Sequence, residues 1–360
     1  MKALVIGRCL KTVEQLDSFC ESVIIFLDNS FLYQRDFPEF KNYRIEYSNV
    51  KINTVRGILP RAKEIYDLIH KYDFDIVFTN TKWDMVAAKL ASIFVRKRVV
   101  LLSTSHNSYA WSKNINVWVM TRLISWTTHC YIALASFVSN KLQHCGLNRE
   151  HILLIPNTVN VFSWQEKKDY SYVDNIKIVY VACVYPGKNQ DFIIEVLNRL
   201  KNKYKIIVDC YGDLDEEDSY VISLREKIKK YNLENIFNLK GRIDNNELRG
   251  RLKDYDIYFC PSLMEMSPVN ILEAQAVGLP VLATNVGGVC DLICHEKTGI
   301  LFSVNNLQEA ISSLERLMKD EDLREYLGRN ARNFLLNENT TAYAGKIIKE
   351  KIDSIKKTRS

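Results

Sequence analysis

The feature that most limits how this chain can fold is an alternation of short apolar runs with helix-like stretches along its whole length. Such runs have the length of buried strands, and strands separated by amphipathic segments are joined by crossovers, which gives parallel sheets. In the first half the runs are ALVIG, SVIIFL (Ser22 to Leu27), DIVFTN (Asp75 to Asn80), RVVLLSTS (Arg98 to Ser105) and CYIALA (Cys130 to Ala135). In the second half they are KIVYVACV (Lys177 to Val184), KIIVDCYG (Lys205 to Gly212), Phe237 to Lys240, DIYFCPS (Asp256 to Ser262) and VLAT (Val281 to Thr284). At 360 residues the chain exceeds the size at which one core keeps growing. The pattern therefore predicts two doubly wound α/β domains, with ligand expected between their strand ends. The polar, proline-bearing stretch Ile155 to Asn175 is the linker candidate, and Thr340 to Lys357 reads as a terminal amphipathic helix. The expected division is 1–158, 159–339 and a closing helix in 340–360 that packs back on the first domain.

Charge is uneven. Residues 1–150 carry 20 Lys and Arg against 13 Asp and Glu, a balance of +7, while the remainder balances at −1. A basic half suggests an anionic partner, a phosphorylated substrate or an anionic lipid surface, with a basic surface kept for solubility as the other reading. No basic run or aromatic-basic interleaving supports a nucleic acid. Nine scattered cysteines, with no CxxC and no His/Cys cluster, read as reduced thiols of a cytoplasmic protein, with no metal site. The start, MKALVIGRCL, has too short an apolar run for a signal peptide, and no uncharged apolar stretch is long enough to span a membrane. Residues 114–128, NINVWVMTRLISWTT, hold two of the five tryptophans. They are expected as a core helix, with an interfacial membrane helix as the other reading.

The most informative stretch is EMSPVNILEAQAVGLPVLATNVGG, Glu265 to Gly288. Ser267 before Pro268 reads as a helix cap, and the helix should run from Val269 to about Val277 before Gly278 and Pro280 close it. Glu265 then lies on a strand-to-helix loop and Glu273 lies inside the helix, on either side of amides and a dipole end suited to phosphate. Two carboxylates able to bind hydroxyls beside an anion site describe a pocket for a nucleotide sugar. Asp213-Leu214-Asp215 has the spacing of a metal-binding DxD, but the acidic residues after it read as a solvated loop.

Several ordered motifs now resemble the retaining glycosyltransferases of family 4, with their two-domain GT-B fold. IPNTVN (Ile155 to Asn160) is similar to that family's domain-junction motif. VYVACVYPGKNQDFIIEVL resembles its first C-terminal strand with a lysine before the helix. GRIDNNEL, DIYFCPSLMEMSPVNILEAQAVGLPVLATNVGG and EKTGILF resemble its signature and closing segments, with the Glu-x7-Glu pair included.

The resemblance implies roles. Glu273 would hold ribose hydroxyls, and Glu265 would contact the donor sugar near its anomeric centre. Lys188 would meet the diphosphate as it leaves, and His106 would stand beside the reacting sugar. Ser267, Val269 and Asn270 would frame the phosphates, Gly241 and Arg242 would fall in the base-binding loop, and Gly7 and Arg8 would replace the family's glycine-paired loop. The chain departs from the family at Cys183, where an arginine is common.

The expected activity is transfer of a hexose-type sugar from a nucleoside-diphosphate sugar, UDP ahead of GDP, with retention and without metal or other cofactor. The acceptor would be a glycan or a lipid-linked sugar of a bacterial surface polysaccharide. The protein would be cytoplasmic, with possible peripheral contact to an anionic membrane. The alternatives are a nucleotide-sugar epimerase, and a non-catalytic protein that binds sugar nucleotides or a partner.

Overall fold

The computed structural model describes residues 1–7, 10–28, 42–50, 55–95, 97–105, 114–171, 175–338 and 340–358. The chain divides into two compact units, Met1–Pro156 with Thr341–Ser360, and Asn157–Thr340.

The first unit follows the order β1 (Lys2–Ile6), α1 (Leu10–Asp17), β2 (Ser22–Asp28), β3 (Arg44–Ser48), α2 (Ile58–Tyr72), β4 (Ile76–Thr79), α3 (Lys82–Phe94), β5 (Val100–Ser103), α4 (Asn114–Thr127), β6 (Cys130–Ala133), α5 (Ser136–His144) and β7 (Ile152–Leu154). Its strands form one parallel sheet in the order β3-β2-β1-β4-β5-β6-β7. The central strands are apolar on both faces because helices cover both, as in β4, where all four residues are buried. Between α2 and α3 a buried ion pair joins Arg61 Nε to Asp84 Oδ1 at 3.1 Å, with the Arg61 guanidinium 4.4 Å from the centre of the Phe26 ring. Thr81 caps α3 by accepting the Asp84 amide, and its hydroxyl donates to Asp84 Oδ2 at 2.7 Å.

The helix expected in the core at 114–128 behaves differently. α4 buries only the stripe Val117, Thr121, Ile124 and Thr127, and leaves Ile115, Trp118, Val119 and Trp126 more than half exposed. Its apolar residues run all round, so one narrow stripe is buried, with α3 and α5 as its neighbours, while the others face outward. Arg122 lies 5.5 Å from the centre of the Trp118 ring. No helix among the described residues is long and apolar enough to cross a membrane.

The second unit contains β8 (Ile176–Val181), α6 (Gln190–Leu200), β9 (Ile206–Tyr211), α7 (Ser219–Lys230), β10 (Phe237–Gly241), α8 (Asn245–Arg251), β11 (Ile257–Cys260), α9 (Val269–Val277), β12 (Val281–Thr284), α10 (Val289–Leu292), β13 (Ile300–Phe302), α11 (Leu307–Lys319) and α12 (Glu321–Glu338). Its sheet is also parallel, in the order β10-β9-β8-β11-β12-β13. One further helix, α13 (Thr341–Lys357), returns to the first unit and packs against α1, burying Ala344, Gly345, Ile348 and Ile352.

From Asn157 to Ser171 the stretch expected as a linker is instead part of the second unit. Val159, Val161 and Trp164 join its core. Tyr170 donates its hydroxyl to the Gly278 carbonyl at 2.8 Å, and the buried Lys167 pairs with Asp256 at 3.5 Å. Arg324, 1% exposed, donates to the Tyr170 carbonyl and to the carbonyls of Leu317 and Met318 at the end of α11. A guanidinium is well suited there, because the last carbonyls of a helix lack backbone partners and carry its negative dipole end.

Candidate active site at the switch point of the second sheet

The strand order of the second sheet reverses between β8 and β11, and a doubly wound sheet opens a crevice where the loops leave such a pair of strands. Lys188 lies on the loop after β8, ending a short 3-10 turn, and Asn189 in left-handed conformation (φ 58°) turns the chain into α6. Glu265 lies on the loop after β11. The two side chains meet: Lys188 Nζ donates to Glu265 Oε1 at 2.5 Å, and Ser262 Oγ donates to the same oxygen at 2.7 Å. Both partners are largely withdrawn from water, with side-chain exposures of 17% and 9%. Burial works to lower the Lys188 pKa, but the Glu265 carboxylate beside it outweighs burial and holds the ammonium above its ordinary value.

The surrounding backbone fixes this pair. Leu263 donates its amide to the Gly187 carbonyl at 2.9 Å, and Asn189 Nδ2 donates to the Pro261 carbonyl at 3.1 Å, so the two loops are stitched together. The glycines after β12 explain themselves here. Gly288 donates its amide to the Glu265 carbonyl at 3.0 Å. Gly287 has φ +52°, and a Cβ on it would lie 1.9 Å from that same carbonyl oxygen. Only glycine allows the approach.

α9 starts at Val269, as expected, and Gly278 in left-handed conformation (φ 93°) ends it. Its start is built differently from the expectation. Ser267 does not cap the helix; the N-cap is Pro268, which makes no side-chain cap bond. The Ser267 hydroxyl instead accepts the Asn157 amide at 2.8 Å, and its carbonyl accepts Asn157 Nδ2 at 2.7 Å. Asn270 turns its side chain back to the end of β8, donating to the Val181 carbonyl at 2.7 Å, while its Oδ1 takes the Ile271 amide. The amides of Val269 and Asn270 are thereby left without a side-chain cap at the positive end of the helix. Glu273, four residues after Val269, shares its face and is half-buried.

The remaining candidates fall elsewhere. Gly241 ends β10 with φ +71°, and Arg242 is exposed with Nε 3.9 Å from Asp213 Oδ1. Asp213 therefore neighbours a cation, Asp215 Oδ1 accepts the Glu217 amide, and Asp218 caps α7. Among the described residues no group of three or more His, Cys, Asp or Glu is placed to hold a metal. Cys183 is exposed, and its carbonyl accepts Gln190 Nε2 at 3.1 Å. Gly7 belongs to the first unit, directly after β1, where the strand order of that sheet reverses. Its φ is +96°, and a Cβ there would lie 2.3 Å from Asn80 Oδ1. Arg8 and His106 lie outside the described residues. Sequence reasoning missed Ser262, Tyr180 and Asn157, whose partners lie 77 or more residues away along the chain or behind a turn whose geometry no motif spells out; the Tyr180 hydroxyl lies 2.7 Å from Ser262 Oγ across 82 residues.

Comparison with known proteins agrees with this architecture. Residues 163–334 match the family model for glycosyl transferases group 1, and residues 23–161 match that for glycosyltransferase family 4. An Escherichia coli UDP-Gal:alpha-D-GlcNAc-diphosphoundecaprenol alpha-1,3-galactosyltransferase is 24% identical over 81% of this chain and 76% of its own length. An uncharacterized glycosyltransferase of Methanocaldococcus jannaschii is 23% identical over 85% of this chain and 84% of its own. The crystal structure of Anabaena HepE in complex with UDP and glucose superposes with a TM-score of 0.81, covering 98% of this chain and 100% of that one at 19% identity. Two Rossmann-like parallel-sheet units are the arrangement of the GT-B glycosyltransferases. The chain belongs to glycosyltransferase family 4.

Proposed function

We propose that this enzyme moves a hexose-type sugar from a nucleoside-diphosphate sugar to a glycan or lipid-linked acceptor in bacterial surface polysaccharide synthesis, with retention at the anomeric carbon. The observation that carries the proposal is the Lys188 ammonium held against Glu265 at the switch point, beside the uncapped start of α9. In the reaction the bond from the anomeric carbon to the diphosphate oxygen breaks, and the leaving group takes the electron pair. Lys188 and the Val269 and Asn270 amides would stabilise that growing negative charge, the kind of preorganised electrostatics that dominates such steps. Glu265 would hold hydroxyls of the donor sugar and Glu273 those of the ribose. The acceptor hydroxyl attacks on the face the diphosphate leaves, and its proton passes to a donor phosphate oxygen.

The second unit would bind the donor and the first the acceptor. The matches to a UDP-Gal-dependent galactosyltransferase and to a UDP complex support UDP ahead of GDP. Because Lys188 and a helix end supply the positive charge, no metal is required, and EDTA should leave turnover unchanged. Thermal-shift screening against UDP, GDP, ADP and CMP and their common sugars tests the reading. A shift with one nucleotide, lost in Glu273→Ala, is the expected result; no shift with any of them would sink it.

Peripheral contact with an anionic membrane at the cytoplasmic face is favoured by a separate observation. α4 exposes Ile115, Trp118, Val119 and Trp126 on the unit whose sequence carries the basic excess.

A further inference from the structure

We infer that Tyr180 and Ser262 are positioning residues that keep Glu265 in place while Lys188 changes partner from Glu265 to the donor diphosphate. The inference rests on the nucleotide-sugar reading of the site and deepens it.

The argument begins with protons. Ser262 is fully buried just after β11, and its carbonyl accepts Thr284 Oγ1 at 2.5 Å, which ties it to the end of β12. A carboxylate only accepts, so the single Ser262 hydroxyl proton is committed to Glu265 Oε1. The proton in the 2.7 Å contact between Tyr180 and Ser262 must then come from Tyr180. The bonds run one way, from Tyr180 on β8 through Ser262 to Glu265. Burial pushes the Tyr180 pKa well above its ordinary value, so the phenol stays a donor. That single proton also faces the Lys188 carbonyl at 3.2 Å, the longer arm of a bifurcated bond, which links the chain to the backbone of the lysine.

Lys188 and Ser262 both bond Oε1, and among the described residues Oε2 accepts no hydrogen bond. Oε2 is therefore the oxygen left for a sugar hydroxyl. A diphosphate arriving at Lys188 competes with Glu265 for the ammonium. Once Lys188 turns to the phosphates, the bond from Ser262 is what remains to hold Oε1, and Tyr180 holds Ser262. Without that chain Glu265 would lose its orientation at the moment the sugar bond must break.

The test uses the full chain and the variants Ser262→Ala, Tyr180→Phe and the double substitution. UDP and GDP binding is measured by calorimetry, and kcat and KM for hydrolysis of UDP-glucose, UDP-galactose, UDP-N-acetylglucosamine and GDP-mannose are measured alongside. A nucleoside diphosphate carries no sugar for Glu265 to hold, so its affinity should stay within about twofold in every variant. Loss of a hydrogen bond to a charged group should lower kcat about tenfold in Ser262→Ala, with KM little changed. Tyr180→Phe should lose less, and the double variant should match Ser262→Ala because Tyr180 acts through Ser262. Unchanged kcat in Ser262→Ala, equal losses of nucleotide and sugar-nucleotide binding, or additive effects in the double variant would overturn the inference. Wild-type protein that binds neither UDP nor GDP would overturn the nucleotide reading itself and this inference with it.

Discussion

Asn157 and Ser267 hold each other by two bonds across 110 residues of sequence, amide to hydroxyl at 2.8 Å and side-chain amide to carbonyl at 2.7 Å. Asn157 opens the second unit and Ser267 stands two residues before α9. The junction motif is thus fastened to the loop that carries Glu265. Ser267→Ala would leave the buried Asn157 amide without its acceptor, at a cost of about 1–3 kcal/mol. Urea unfolding should show that loss, and Ser267→Thr should restore most of it. An unchanged midpoint in Ser267→Ala would show that the bond contributes nothing.

Lys188 is predicted to matter for both stability and turnover. Its folded pKa is raised above its unfolded value, which is about 10.4. The pairing with Glu265 therefore stabilises fully below that pH and is lost as pH rises through the folded value. The melting temperature of wild type should therefore fall relative to that of Lys188→Met above pH 10, whichever is the more stable at neutral pH. For turnover, Lys188→Ala should cost about 100- to 1,000-fold in kcat, the usual effect of removing a group that stabilises a developing anion.

The buried pair in the first unit supplies a test remote from the chemistry. Arg61 and Asp84 are each 3% exposed at the side chain. Asp84→Ala leaves the buried guanidinium with the longer contact of its Nη1 to Glu64 Oε2 at 3.8 Å and should cost about 3–5 kcal/mol, while Arg61→Met with Asp84→Leu together should cost far less. Chemical denaturation of the three proteins decides the matter. A double variant as unstable as Asp84→Ala would mean that packing, not the unpaired charge, is responsible.

For α4 the expectation is binding to vesicles that contain anionic lipid at low salt, seen by co-sedimentation. It should be weakened by Trp118→Ser with Trp126→Ser and by raised ionic strength. Equal sedimentation of wild type and double variant would remove α4 as the contact.

The β11-α9-β12 segment was legible because its strands are buried on both faces and Gly278 marks the helix end, so composition and punctuation agree. The second edge of the first sheet was not. β3 reads RIEYS, a mostly polar strand with Arg44 and Glu46 paired across it, and edge strands lack the apolar signature of central ones. β7 has only three residues. The junction failed for another reason: Val161, Trp164 and Tyr170 are single apolar groups in a polar stretch, with no period to betray that each is buried. At the site the lysine and glutamate could be named by type and position. Ser262 and Tyr180 could not, since a serine after one strand and a tyrosine within another acquire meaning only when the sheet sets them 2.7 Å apart.

The return of α13 to the first unit has a consequence for the order in which the protein is made. Residues 157–340 all leave the ribosome before the helix that covers α1 exists. The usual sequence, in which the N-terminal domain completes first, is inverted. The second unit can close its core during synthesis, while the first waits for Ala344, Ile348 and Ile352 with part of its apolar surface uncovered. A nascent chain stalled before α13 should therefore protect β8 to α12 from protease well and α1 poorly, and release of the remaining residues should be the step that seals the first unit.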